Sequence, residues 1–208
     1  MPGTGDISNT QNPYKRYPFL IVVRFIMAGI VVLFLSLTYG YLYTTDIQWV
    51  AFHLPKVFWL STLAIVLVSV CMRLVLQLYD ADRPSRLRWT LFAAFFLGVL
   101  FIIFQIIGWT ALFRLSREAV RTYAVSSSNG FDYLYLLTGL HALHVLVGLI
   151  FLIVANVRTF IHTKDPVKAL VFFSDPIRRI RLRLVITYWH TIDVLWVVLF
   201  LSFLFKHA

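Results

Sequence analysis

Five apolar stretches, each long enough to cross a bilayer, follow one another in a chain of 208 residues. They cover about 18–43, 55–77, 88–113, 132–157 and 184–206. A run of about 20 residues with few charges reads as a transmembrane helix, because at 1.5 Å per residue it spans a hydrocarbon core of about 30 Å. Every backbone N–H and C=O in lipid must be satisfied internally, which a helix does by itself. The expected fold is therefore all-α: a polytopic membrane helix bundle of five transmembrane helices. Only 13% of the residues are charged, against about 25% in soluble domains. What lies between the runs leaves no room for a soluble domain of independent size. The expected organisation is a short disordered tail over 1–13 and a single transmembrane domain over 14–208. The tail lacks the basic, apolar and small-residue succession of a signal peptide.

The net charge of +10 is explained by placement and does not point to nucleic acid. If the N-terminus is inside, the inside segments hold fourteen of the nineteen Lys and Arg residues, among them Arg83, Arg86, Arg88, Arg158 and Arg178. The positive-inside rule then predicts an inside N-terminus and an outside C-terminus. Cys71 is the single cysteine, so neither an intrachain disulfide nor a thiolate cluster is expected.

Ionisable residues in lipid are costly and usually face a bundle interior or a functional path. Two segments concentrate them. His141, His144 and Gly148 fall at i, i+3 and i+7 on the fourth run; His190 and Asp193 fall at i and i+3 on the fifth. Such spacings share a helix face. The fourth and fifth runs are antiparallel, so His144 and Asp193 reach comparable depth. The reading of these residues is a structural hydrogen bond from a histidine of the fourth helix to Asp193. A haem or metal site on His144 and His190 and a proton path are the competing readings. On the third run, Gly98, Phe101, Gln105 and Gly108 share a face, and the amide is expected to find an interhelical partner.

Four stretches separate the runs, and three of them bear on the reading. Asp80 and Asp82 sit among arginines in a segment read as a solvated turn. Ser126-Ser127-Ser128-Asn129-Gly130 is read as a mobile outside loop. The segment 158–183 is the longest and most basic. Its Arg178, Arg179, Arg181 and Arg183, interleaved with Ile and Leu, suit an anionic lipid surface or a partner. With Trp109, Trp189 and Trp196 they are the candidates for lipid or interface contact.

The stretch Thr138-Gly139-Leu140-His141-Ala142-Leu143-His144-Val145-Leu146-Val147-Gly148 resembles the Thr-Gly-Phe-His-Gly-Leu-His-Val segment of subunit III of haem-copper terminal oxidases. Tyr188-Trp189-His190-Thr191-Ile192-Asp193-Val194-Leu195-Trp196 resembles that family's Tyr-Trp-His-Phe-Val-Asp-Val-Val-Trp. Leu97, Gly98, Phe101, Gln105 and Trp109 follow its helix-three pattern. The resemblance covers essentially the whole chain, in the five-helix bacterial form. It departs at two places where the family carries a carboxylate: near Ala28, and at Gly108.

The resemblance implies a non-redox accessory subunit with no catalytic residue and no cofactor of its own. It implies docking beside catalytic subunit I, which with subunit II carries haem and copper, and retention of phospholipids in a hetero-oligomeric complex. That complex couples oxygen reduction to proton translocation in aerobic electron transport, with cytochrome c or a quinol as donor. The implied location is the bacterial inner membrane. The alternative is an independent haem-binding membrane electron carrier using His144 and His190; a small transporter or proton channel ranks last.

Overall fold

The computed structural model describes residues 19–43, 56–123 and 129–207. They form six helices: α1 (Phe19–Tyr43), α2 (Val57–Asp80), α3 (Pro84–Tyr123), α4 (Asn129–His162), α5 (Pro166–Ser174) and α6 (Pro176–His207). All except α5 are long and apolar enough to cross a membrane, and no strand occurs among the described residues. The chain is an all-α, five-span membrane bundle. The tail 1–13, the segment 44–55 and Ser126, Ser127 and Ser128 lie outside the described residues.

The helices run past the apolar stretches that announce them. α3 has 40 residues, about 60 Å at 1.5 Å per residue, twice a hydrocarbon core. Apolarity marks only the part of a helix that lipid surrounds; backbone hydrogen bonding continues in water. The expected turn over 79–86 shrinks accordingly to Ala81-Asp82-Arg83. The Ala81 N–H donates to the Gln77 carbonyl (3.0 Å) and the Arg83 N–H to that of Leu78 (3.1 Å). Asp82 takes a φ of 51°, a left-handed conformation that Asp tolerates better than most residues. Pro84 then opens α3, its missing N–H being no loss at a first helical position.

The basic segment 158–183 is also mostly helical. α4 continues to His162, and two Asp-Pro pairs restart the chain. The Asp165 carboxylate accepts the Val167 N–H at 3.0 Å, and that of Asp175 accepts the Ile177 N–H at 2.9 Å. Each caps a helix whose first residue is proline. α6 thus begins at Pro176, eight residues before the expected 184.

α6 is the central mast. It packs on α1, α2, α4 and α5, and half of its apolar window is buried, against 17% for α1. Lipid tails are as apolar as leucine, so close packing has to hold such helices together. Trp189 shows how. Its indole lies between α3 and α4 at two glycines, and a β-carbon would stand 3.3 Å from it at Gly98 and 3.2 Å at Gly148. Two turns further, the Trp196 ring sits edge-on to Phe101 (5.3 Å between centroids), and its Nε1–H donates to Thr62 Oγ1 on α2 at 3.1 Å.

At one end, the turn end, the 81–83 turn meets α5 and the start of α6. Arg179 donates two hydrogen bonds of 2.7 Å to the Asp80 carboxylate. The Tyr79 hydroxyl donates to the Phe172 carbonyl at 2.8 Å.

Candidate site: polar residues inside the bundle

His141 is 1% exposed. The rings of Phe34 on α1, Phe101 on α3 and Trp196 on α6 enclose it, with centroids at 6.1, 5.9 and 5.3 Å. Neither ring nitrogen has a hydrogen-bond partner among the described residues. A buried polar group left so costs about 1–3 kcal/mol, which the packing of three helices around the ring has to offset. His144, one turn on, is half-buried; its Nδ1 lies 2.7 Å from the Leu140 carbonyl of its own helix. Its backbone carbonyl accepts the Tyr188 hydroxyl at 2.9 Å, tying α4 to α6.

His190 makes the other tie. Its Nδ1 is hydrogen-bonded to Ser69 Oγ on α2 at 2.8 Å and lies 3.8 Å from Asp193 Oδ2. The second distance is too long for a hydrogen bond. Asp193 is buried, and neither carboxylate oxygen has a hydrogen-bond partner among the described residues.

The expected bond from a histidine of the fourth helix to Asp193 is therefore corrected. The imidazole beside Asp193 is His190, three residues back on the same helix face, where i and i+3 positions are neighbours. Equal depth on antiparallel helices fixes one coordinate only. Rotation about the helix axis fixes the other, and it turns His144 toward Phe34. His144 and His190 accordingly address different helices, α1 and α2. Among the described residues no three His, Cys, Asp or Glu side chains gather in a group suited to a metal ion.

Gln105 is buried on α3 and donates to Ser61 Oγ on α2 at 3.3 Å. Ser61, Thr62 and Ser69 are the residues that the sequence reading passed over. A short polar side chain in an apolar helix is the signal that would have found them, since each sits where an incoming polar group from α3 or α6 needs a partner. Asn156 does the same from α4, donating to the Leu91 carbonyl of α3 at 3.1 Å.

Two of the lipid or interface candidates are core residues instead. Trp189 and Trp196 are fully buried, because the glycines of α3 and α4 admit one indole and Thr62 takes the N–H of the other. Among the described residues, the tryptophans that face outward are Trp59 and Trp89, at 56% and 70% exposure. Trp109 is half-buried beside Arg114 and Arg117, at the end of the bundle away from the turn. Arg178 pairs with Asp175 at 3.0 Å and Arg179 with Asp80, while Arg181 and Arg183 are exposed.

Gly108, where the resembled family carries a carboxylate, is a close approach. A β-carbon there would stand 2.8 Å from the Phe58 ring of α2. Ala28 is exposed on α1.

The family model "Cytochrome c oxidase subunit III" matches residues 19–207. The chain is 33% identical over 84 residues to "Cytochrome c oxidase subunit 3" of Pyricularia grisea, covering 40% of this chain and 28% of that protein. It is 34% identical over 68 residues to the protein of the same name from Marchantia polymorpha, covering 33% of this chain and 22% of that one. The matched stretches thus span well under two thirds of either relative. The family match runs through all five membrane-spanning helices, and on that ground the chain belongs to the cytochrome c oxidase subunit III family.

Proposed function

We propose that this chain is a non-redox structural subunit of a respiratory haem-copper oxidase. It docks beside the catalytic subunit I within a complex that also contains subunit II, stabilises that subunit and holds phospholipid at its flank. Haem and copper belong to the partner chains, and the whole complex reduces oxygen and moves protons. The family match over 19–207 is the observation that carries this reading. The interior supports it: His141 is boxed by three rings, and His144 and His190 address different helices. The exposed apolar side of α1, with Phe25 and Val32 more than 60% exposed, offers a face for lipid or a neighbouring helix.

The proposed membrane is the bacterial inner membrane, with the N-terminus inside and the C-terminus outside. Supporting this, the Arg179–Asp80 pair gathers the 81–83 turn and the α4–α5–α6 corner at one end. Arg83, Arg86, Arg158, Arg178, Arg181 and Arg183 all belong to that end, as the positive-inside rule requires of the cytoplasmic side.

The test is purification of the tagged full chain from its native membrane in mild detergent. A larger haem-bearing chain is expected to co-migrate with it. Migration alone, or with partners that carry no haem, overturns the proposal.

A further inference from the structure

The outer seam between α2 and α6 is polar where a surface facing only lipid is apolar. The two helices run antiparallel and are joined along the seam. Ser69 meets His190 at 2.8 Å, Thr62 meets Trp196 at 3.1 Å, and the Trp59 ring stands edge-on to Phe200 with centroids 5.0 Å apart. On α2, Trp59, Thr62, Val66, Ser69 and Arg73 recur at steps of three and four and so share the face beside α6. Trp59, Val66 and Arg73 are exposed there. On α6 the matching stripe is Thr187, His190, Thr191 and Val194, exposed or half-buried. The outward stripe of α4 shows what lipid alone requires: Leu143, Leu146, Ile150 and Ile153, all exposed and all apolar.

Two polar groups on the seam have no partner among the described residues. Arg73 is exposed inside the α2 span and forms no ion pair. It lies seven residues before Asp80, about 10 Å along the axis. His190 spends Nδ1 on Ser69; its Nε2 has no hydrogen bond, and its side chain is 30% exposed. A guanidinium on a long stem can snorkel back to a headgroup from such a depth. The imidazole lies opposite Ser69, one turn deeper, and is too short to do so; lipid offers it only hydrocarbon. A polar group left without a partner costs about 1–3 kcal/mol. Beside it, the Thr187 and Thr191 hydroxyls donate to carbonyls of their own helix, those of Arg183 and Thr187, each at 2.9 Å. Two small side chains at i and i+4 then face outward, the spacing that lets a second helix come close.

We propose that the α2–α6 seam docks a membrane-spanning helix of a partner chain that carries an aspartate or glutamate. The carboxylate pairs with Arg73, whose fork of N–H donors matches it. A hydrogen-bonding group one turn deeper on that helix meets His190 Nε2, and its backbone lies against Thr187 and Thr191. This rests on the hetero-oligomeric part of the function proposed above and adds the surface and the chemistry of what covers it.

The test is Val194→p-benzoylphenylalanine in the full chain, photolysed in native membranes, with Leu146→p-benzoylphenylalanine on α4 as the contrast. The expected product at Val194, and not at Leu146, is a cross-link to a membrane-spanning peptide that contains Asp or Glu, identified by mass spectrometry. Arg73→Glu lowers its yield about tenfold or more, because juxtaposed like charges cost several kcal/mol. Replacing the partner's carboxylate by Lys in that background restores the yield, and Arg86→Glu, away from the seam, leaves it unchanged. A cross-link to lipid alone overturns the proposal, as does a cross-linked helix without a carboxylate, the same product in equal yield at Leu146, an equal fall in Arg86→Glu, or no restoration by the reversed pair. Co-migration with a haem-bearing chain is scored in the same membranes. A seam cross-linked only to lipid with intact co-migration leaves the oxidase reading standing, and an acidic helix at the seam of a haem-free complex overturns the oxidase reading alone.

Discussion

His141 and Asp175 are both polar residues held between helices, and they are accommodated by opposite means. His141 sits in the middle of the bundle, walled off by Phe34, Phe101 and Trp196, with both ring nitrogens lacking a hydrogen-bond partner among the described residues. Asp175 sits at the turn end, where one carboxylate caps α6, binds Arg178 and leaves nothing unmatched. The middle is held mainly by shape, with the Trp189 indole seated against two glycines and a few hydrogen bonds such as Trp196–Thr62 between helices. The turn end is held by directed hydrogen bonds near water. The two regions should therefore fail differently: the middle under changes of volume with no regard to salt, the turn end under changes of charge and pH.

The largest effect should come from Trp189→Ala, which empties the space against Gly98 and Gly148. A loss of about 3 kcal/mol or more is expected from large-to-small changes in cores, read by reversible unfolding in mixed micelles. A loss below 1 kcal/mol would show that the indole does not organise the bundle. Next comes Gly148→Val. A β-carbon there already stands 3.2 Å from Trp189, so overpacking should cost about 1–3 kcal/mol. Gly29→Ala is its contrast. Nothing lies within 4 Å of a β-carbon at Gly29, and loss of glycine from a helix interior should stabilise by about 0.5–1 kcal/mol.

Smaller again is the polar tie between α2 and α6. Ser69→Ala and His190→Gln should couple by about 1 kcal/mol in a double-mutant cycle. Asp193→Asn and His144→Gln should not couple beyond about 0.3–0.5 kcal/mol, the scatter of independent sites. Coupling in the second cycle and none in the first would reverse the assignment of partners.

The smallest effects belong to the turn end. Arg179→Ala should cost about 0.2–1 kcal/mol and lose even that in high salt, as exposed pairs do. Asp175 carries the pH dependence. Burial pushes its carboxyl up, but the Ile177 N–H and the Arg178 guanidinium outweigh that and hold it below the usual carboxylate range. Its folded pKa is thus depressed. The stability it confers is present above the unfolded value of about 3.9 and is lost as pH falls through the lower folded value. Asp175→Asn should remove that part of the acid loss. An unchanged acid limb would mean that the cap is not formed in solution.

How much of this was legible in the sequence follows the same division. The five spans were legible because lipid demands apolar length, and the shared face of His190 and Asp193 because helical periodicity is rigid. The ends of α3 and α6 were not, since a helix leaves the membrane without changing its backbone. Asp165-Pro166 and Asp175-Pro176 do announce helix starts, but an arginine-rich stretch obscures them. The partner of Asp193 was not legible, because sequence gives depth along an axis and not rotation about it. Burial of Trp189 depends on Gly98 and Gly148, which lie far away in sequence and become neighbours only once three helices have packed.

The imidazoles inside this bundle are proposed to serve packing and interhelical bonding and to ligate no haem or metal. The most direct test is the visible absorption spectrum of the full chain, purified and separated from any haem-bearing chain that co-migrates with it. The account predicts no Soret band in the separated chain. A Soret band that shifts or disappears with His144→Gln or His190→Gln would contradict it.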